Sequence, residues 1–192
     1  MVIVDEKRIF IHIPKTGGTS INQRYIQTKG IRTRVALPRH PFIIHNAKRS
    51  EWHFTYDRAY TQFPDYEYFT VIRNPLDRWV SVYKHFLIRK LVSEGLEKWT
   101  EKVMKTLPAF DFLDSKYQYD YTQYEKFIYP QWMYYREPEV QVHTIETIWS
   151  ALGLTPQHIK KGIDIPDYNG KEVRDMIYNF YKKDFERWQM TE

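Results

Sequence analysis

One short segment, IFIHIPKTGGTSI, constrains the fold of this chain more than any other. It opens with alternating β-branched and aromatic residues, which predict a strand over Arg8–Ile13. Pro14–Gly18 breaks that pattern, and the threonine and serine that follow favour a helix start. We expect that helix over Ser20–Gln27. The segment therefore predicts a strand, a tight turn and a helix in immediate succession.

The turn of this segment carries the groups with which proteins bind phosphate-sized anions. Glycines let backbone N–H groups approach an anion closely, and a helix start adds N–H donors and a partial positive charge. Because the lysine precedes the glycines, the turn does not match the Walker A pattern G-x-x-x-x-G-K-[ST]. An ordinary strand-to-helix turn with a solvated lysine is the alternative. The candidate anion-binding residues are Lys15, Thr16, Gly17, Gly18, Thr19 and Ser20.

A second candidate anion site lies in TVIRNPLDRWVSVY. Arg73 follows a strand pattern, and its guanidinium has the geometry to donate two hydrogen bonds to one phosphate. Ser81 falls on the helix that follows, and Arg78 either joins the site or pairs with an acid. The alternative is a solvated arginine and a helix-surface serine. Since ligands of open α/β sheets bind at the carboxyl ends of strands, two such motifs favour a ligand with two separated phosphates.

The rest of the pattern indicates the fold class. Buried-strand patterns occupy Tyr68–Ile72 and Val140–Thr144, and helical spacing predicts helices over Leu76–Lys90 and Lys171–Trp188. Strands that alternate with helices indicate an α/β fold with a mainly parallel sheet. Three strands are few for such a sheet, so we expect more. The length and the absence of a Gly/Ser-rich linker predict a single domain over residues 1–192.

Composition narrows the chemistry. The chain has no cysteine, which excludes disulfides, thiolate metal sites and a cysteine nucleophile. No apolar run reaches the roughly 20 residues that span a bilayer, and the first residues lack a signal-peptide pattern. We therefore expect a soluble, cytoplasmic protein. The net charge of +5 favours an anionic partner: nucleic acid, nucleotide or anionic sugar.

The motifs resemble those of sulfotransferases that use 3′-phosphoadenosine 5′-phosphosulfate (PAPS). The likeness is greatest to the carbohydrate branch, which includes heparan sulfate 2-O-sulfotransferase-like enzymes. HIPKTGGTS (His12–Ser20) resembles their 5′-phosphosulfate loop, and VIRNPLDRWVSVY (Val71–Tyr83) resembles their 3′-phosphate motif. QVHTIETIWSALGL and the closing helix are similar to later family segments, so the resemblance spans most of the chain.

The resemblance implies a P-loop-like three-layer α/β sandwich, with a central, mainly parallel sheet flanked by helices. It implies PAPS as donor and 3′,5′-diphosphoadenosine (PAP) as product, a hydroxyl-bearing acceptor such as a glycan, and no metal. It assigns the 5′-phosphosulfate to the six turn residues from Lys15 to Ser20, and the 3′-phosphate to Arg73 and Ser81. Lys15 is then also expected to stabilise charge on the leaving phosphate.

Sulfuryl transfer to a hydroxyl needs a general base, and three residues between the two motifs are candidates. His53 opens HFTYDRAY, which resembles the H-x-[ST]-Y stretch that supplies the proposed base in the 2-O-sulfotransferase-like enzymes. His45 is the second candidate, in a stretch similar to the H-x-A of other relatives, and Glu51 is the third. His12 lies in the first strand pattern, where a core histidine is the expected role.

Other functions fit the sequence less well. A P-loop kinase needs Mg²⁺ ligands and a lysine in the Walker position, which this chain lacks. A nucleic-acid-binding module is suggested by basicity and aromatic residues, but no RNP, helix-turn-helix or zinc-finger pattern supports it and the net charge is modest. A sulfotransferase-like protein that binds nucleotide without catalysis is the remaining alternative. Chain length favours a small acceptor or an exposed chain end.

Overall fold

The computed structural model describes residues 2–3, 7–29, 53, 55–61, 63–106, 125–156 and 170–191. They fall into two compact units. The sheet unit comprises residues 1–73 and 131–160, and the helical unit comprises 74–130 and 161–192. The single domain over 1–192 stays a prediction.

The sheet unit contains a four-stranded sheet in the order β1-β2-β3-β4. Its strands are β1 Val2–Ile3, β2 Arg8–Ile11, β3 Glu67–Ile72 and β4 Val140–Thr144. Strands β2, β3 and β4 are parallel, and β1 is antiparallel to β2. The three predicted strands are confirmed. The fourth, β1, was missed because two residues are too short to show alternation.

The helices are divided between the two units. The sheet unit has α1 Gly18–Lys29, α2 Tyr56–Tyr60, a 3₁₀ turn at Gln131–Met133 and α6 Ile148–Ala151. The helical unit has α3 Pro75–Ile88, α4 Leu96–Thr106, α5 Glu125–Ile128, α7 Lys171–Phe180 and α8 Lys182–Gln189.

Both faces of the sheet are covered within the sheet unit. Because successive strand residues point to opposite faces, Phe69 and Tyr68 face different layers. On one face, Phe10 of β2 and Phe69 of β3 pack in a buried cluster with residues of α1 and α6. On the other face, Tyr68 meets Tyr56 of α2 edge-on, with ring centroids 5.0 Å apart. This layering confirms the predicted α/β sandwich.

The helical unit is held by its own aromatic core, built around Trp79 of α3 and Trp99 of α4, whose ring centroids are 4.7 Å apart. The predicted single helix over Lys171–Trp188 is wrong, because the helix breaks at Tyr181, where φ is −101° and ψ is 24°. Tyr181 is fully buried, and its hydroxyl donates to the backbone carbonyl of Ile128. That tertiary bond accompanies the break, and nothing in the local sequence indicates it.

Parallel pairing sets the position of the functional residues. Strands β2 and β3 are neighbours with Ile11 beside Thr70, and β3 and β4 are neighbours with Ile72 beside Thr144. The segments that leave these three strands therefore emerge at one edge of the sheet. This is the edge where open α/β sheets bind ligands.

Candidate anion-binding and catalytic site

The turn after β2 has an unusual backbone conformation. Lys15 and Gly17 both have positive φ, 69° and 97°. Lysine rarely adopts this conformation, and such strain concentrates at functional sites. Between them, Thr16 is buried and its Oγ1 donates to the carbonyl of Ile13 at 3.0 Å, which closes the turn.

Helix α1 starts directly from this turn. The carbonyl of Gly17 accepts hydrogen bonds from the N–H groups of Ser20 and Ile21, at 2.9 and 3.2 Å. These bonds place Gly17 just before α1, which begins at Gly18, two residues earlier than the predicted Ser20. The first N–H groups of a helix have no carbonyl partner within it, and they carry the positive end of the helix dipole. With Lys15 beside this helix start, the turn has the donors and charge that anion sites use.

Both glycines of the turn are required by their surroundings. A Cβ on Gly17 would lie 2.7 Å from Cδ1 of Ile145, which follows β4, in addition to the positive φ. A Cβ on Gly18 would lie 2.1 Å from Cδ2 and 2.2 Å from Nε2 of His12. The His12 imidazole therefore rests directly against the first residue of α1.

His12 in turn contacts the predicted base. The ring centroids of His12 and His53 are 4.5 Å apart, and Nδ1 of His53 lies 2.7 Å from the carbonyl oxygen of His12. A carbonyl only accepts, so Nδ1 carries the proton and donates it. When the His53 ring is neutral, Nε2 is left with the lone pair that a base requires.

The environment of His12 keeps its ring neutral. Desolvation lowers its pKa well below 6.5, with smaller contributions from the charges of His53 and Lys15. His12 also stacks on Phe10, with ring centroids 5.6 Å apart. The sequence predicted a core histidine here, and the His12 ring is packed against the candidate base and the helix start as well as against Phe10.

Arg73 lies one residue beyond β3, and its backbone is bound by a residue that sequence reasoning missed. The N–H of Arg73 donates to Oε1 of Gln131 at 2.9 Å, and Nε2 of Gln131 donates to the carbonyl of Arg73 at 2.8 Å. Gln131 is fully buried. It lies 58 residues away in the chain, and no signal in the sequence points to this pairing.

The remaining residues of the second motif belong to the helical unit. Asn74 caps α3, because its Oδ1 accepts from the N–H groups of Leu76 and Asp77. Ser81 is half-buried on α3. Arg78 is fully buried, and its Nη2 donates to the carbonyl of Phe127 at 2.9 Å. That contact gives Arg78 a role in packing.

Two of the three candidate bases, His45 and Glu51, lie outside the residues that the structure describes. Among the residues that are described, no three His, Asp or Glu side chains group in a way that could hold a metal ion. Within the same residues, no helix combines the length and apolar character needed to cross a bilayer.

The chain is thus an α/β protein in which a turn with a lysine and two glycines joins a parallel strand to a helix at the carboxyl edge of the sheet. The family model described as "Sulfotransferase family" matches residues 1–161. The chain therefore belongs to the sulfotransferase family, and its chemistry is sulfuryl transfer. The matched region includes both motifs and His53. The predicted sulfotransferase family is confirmed, and the carbohydrate branch stays a prediction. No curated protein and no solved structure matches the chain.

Proposed function

We propose that this protein transfers a sulfuryl group from PAPS to a hydroxyl of a carbohydrate or a similar acceptor, without a metal. One observation carries the proposal: the turn from His12 to Ser20. In this member of the sulfotransferase family, the turn places Lys15, whose backbone is in the left-handed conformation, beside the first N–H groups of α1. Such a turn suits the phosphosulfate of a nucleotide donor.

The donor is held at two points. The residues from Lys15 to Ser20 bind the 5′-phosphosulfate, and the guanidinium of Arg73 binds the 3′-phosphate. Because β2 and β3 are parallel neighbours, the turn and Arg73 leave the sheet at the same edge, which supports a ligand that reaches both. The resemblance assigns Ser81 to the 3′-phosphate as well, and that assignment stays a prediction.

The reaction is an in-line displacement at sulfur. The acceptor oxygen forms a bond to sulfur as the bond from sulfur to the 5′-phosphate oxygen breaks, and PAP leaves. By analogy with phosphoryl transfer, positioning and charge stabilisation supply most of the rate. Lys15 and the N–H groups that begin α1 stabilise the negative charge that grows on the leaving phosphate oxygen.

His53 takes the proton of the acceptor hydroxyl. Its Nδ1–H bond to the carbonyl of His12 fixes the tautomer and ring orientation, which leaves Nε2 as the base. We expect His53→Ala to lower kcat by about 100- to 10,000-fold, the usual range for a general base. His45→Ala, measured at the same saturating donor concentration, is the comparison. Unchanged turnover in His53→Ala would move the role to His45 or Glu51.

Donor identity is tested by thermal denaturation with PAP and, separately, with ATP and Mg²⁺. At 100 times its Kd, PAP should add about 2.7 kcal/mol to the unfolding free energy. That corresponds to a rise in Tm of about 5–10 °C for a chain of this size. Stabilisation by ATP with Mg²⁺ but not by PAP would refute the proposal and favour a kinase.

Catalysis is tested by Lys15→Ala, with Lys7→Ala as the matched control. Both lysines have positive φ, 69° and 48°, so both variants remove one charge and place alanine in the same strained region. Lys7 precedes β2, at the opposite end of the strand from the turn. We expect Lys15→Ala to lower kcat/KM by about 100- to 1,000-fold, as for a lost transition-state donor, with Lys7→Ala near wild type. Nucleotide binding with no sulfate transfer to any acceptor would instead indicate a non-catalytic binding protein.

The acceptor class is supported by the resemblance of the His53–Tyr56 stretch to carbohydrate-modifying relatives. Transfer of labelled sulfate to a panel of sugars, polysaccharides and phenols tests it. We expect product on the carbohydrates. Exclusive transfer to phenols would contradict the carbohydrate assignment while leaving the donor assignment intact.

A further inference from the structure

The side chain of Gln131 makes a contact that packing alone does not require. It is buried to 1% exposure, and both polar atoms of its amide are used on one backbone residue, Arg73. The oxygen accepts the Arg73 N–H, and the nitrogen donates to the Arg73 carbonyl. The two bonds fix the orientation of the amide, since the reverse orientation would set donor against donor and acceptor against acceptor.

The contact lies just beyond the last hydrogen-bonded pair of β3 and β4. The β3–β4 ladder ends with Ile72 beside Thr144, so Arg73 is beyond the last strand pair. A buried backbone group without a partner is costly, and at Arg73 the Gln131 amide takes the place of a neighbouring strand. Bonds to the N–H and the carbonyl of one residue fix the peptides on both sides of its Cα. They therefore fix the direction in which its side chain leaves the backbone.

We propose that Gln131 is a positioning residue that aims the Arg73 guanidinium at the 3′-phosphate of the donor, and so sets the preference for 3′-phosphorylated nucleotides. This inference rests on the proposed function, in which Arg73 binds that phosphate. A two-bond contact between guanidinium and phosphate depends on orientation, and a site is only as precise as the residues that support it. The role differs from a general contribution to stability because it affects one phosphate of the ligand.

Two substitutions separate these roles. Gln131→Met keeps the length of the side chain and removes both hydrogen bonds. Gln131→Glu keeps the shape and one acceptor, but it sets a carboxylate oxygen against the carbonyl of Arg73. Thr70→Val is the matched control. Thr70 is also fully buried, and its Oγ1 donates to the carbonyl of Ile11 at 2.8 Å, so this variant loses a side-chain-to-backbone bond within the same sheet.

The experiment measures the Kd of PAP and of adenosine 5′-monophosphate, which lacks the 3′-phosphate, by calorimetry on the full chain. We expect wild type to prefer PAP. In both Gln131 variants that preference should fall by about 10- to 100-fold, the range for a hydrogen bond to a charged group. Binding of the monophosphate should change by less than about threefold. Thr70→Val should lower Tm and keep the wild-type ratio of the two Kd values.

The outcomes separate this inference from the proposed function. Equal binding of the two nucleotides by wild type would refute the 3′-phosphate site itself. A wild-type preference that persists in either Gln131 variant would overturn only the role of Gln131. Parallel weakening of both nucleotides, or failure of both variants to fold, would also overturn it, because Gln131 would then support the fold and not the arginine.

Discussion

Gly18→Ala tests whether the His12 ring and the helix start are packed as one unit. Gly18 opens α1, and it has no positive φ, so backbone strain does not enter. The added methyl would lie 2.1 Å from Cδ2 and 2.2 Å from Nε2 of His12. Ordinary contact between such atoms is about 3.5–4.0 Å, so the imidazole or the helix start must move by more than about 1 Å.

The expected cost follows from two opposing terms. Alanine is favoured over glycine in a helix by about 0.5–1 kcal/mol. Overpacking of a well-packed region costs about 1–3 kcal/mol. His12 has little room to yield, because Phe10 stacks on it and His53 lies against it. We therefore expect a net loss of about 0.5–2 kcal/mol in unfolding free energy, and a larger effect on PAP binding because the first N–H groups of α1 are displaced.

Urea denaturation and calorimetry with PAP measure the two effects, and the variant His12→Ala completes a double-mutant cycle. Removal of the imidazole should relieve the clash, so the two substitutions should couple by about 0.5–3 kcal/mol. Gly95→Ala is the control, since an added methyl there meets nothing within 4 Å. It should cost no more than about 1 kcal/mol, the size of a lost helix cap, and leave PAP binding unchanged. If Gly18→Ala kept wild-type stability and PAP affinity, the packing argument would be refuted.

Two further predictions concern stability. Asn74→Ala removes the acceptor for the N–H groups of Leu76 and Asp77, so it should lower the unfolding free energy by about 1 kcal/mol in urea, whereas Asn74→Asp should retain most of it. Equal losses in the two variants would contradict the capping role. Because burial lowers the folded-state pKa of His12 below its ordinary 6.5, the unfolded chain binds the proton first as the pH falls. The contribution of this shift to the unfolding free energy is therefore complete above about pH 6.5 and decreases as the pH falls below it. The urea midpoint should fall on acidification, and it should fall less steeply in His12→Gln. An identical slope in both proteins would exclude His12 as its source.

The fold could be predicted wherever the pattern was local. The strand at Val140–Thr144 has the predicted bounds, and the helix predicted over Leu76–Lys90 occupies Pro75–Ile88. Proline at the first helical position and alternation in the strands are signals carried by the residues themselves. The break at Tyr181 could not be predicted, because it accompanies a hydroxyl bond to the carbonyl of Ile128, 53 residues away.

The candidate site shows the same difference between local sequence patterns and tertiary contacts. The turn from Lys15 to Gly18 is local in sequence, so its glycines and its lysine were sufficient to predict an anion site. The contacts that orient these residues are not local. The His12 carbonyl accepts a hydrogen bond from Nδ1 of His53, 41 residues away, and Gln131 binds the backbone of Arg73 from a distance of 58 residues. In both contacts a side chain satisfies a backbone group just beyond the end of a strand, where the ladder no longer supplies a partner. Any residue with the right donor or acceptor meets that need, and so the sequence predicts the residues proposed to touch the donor but not those that hold them in place.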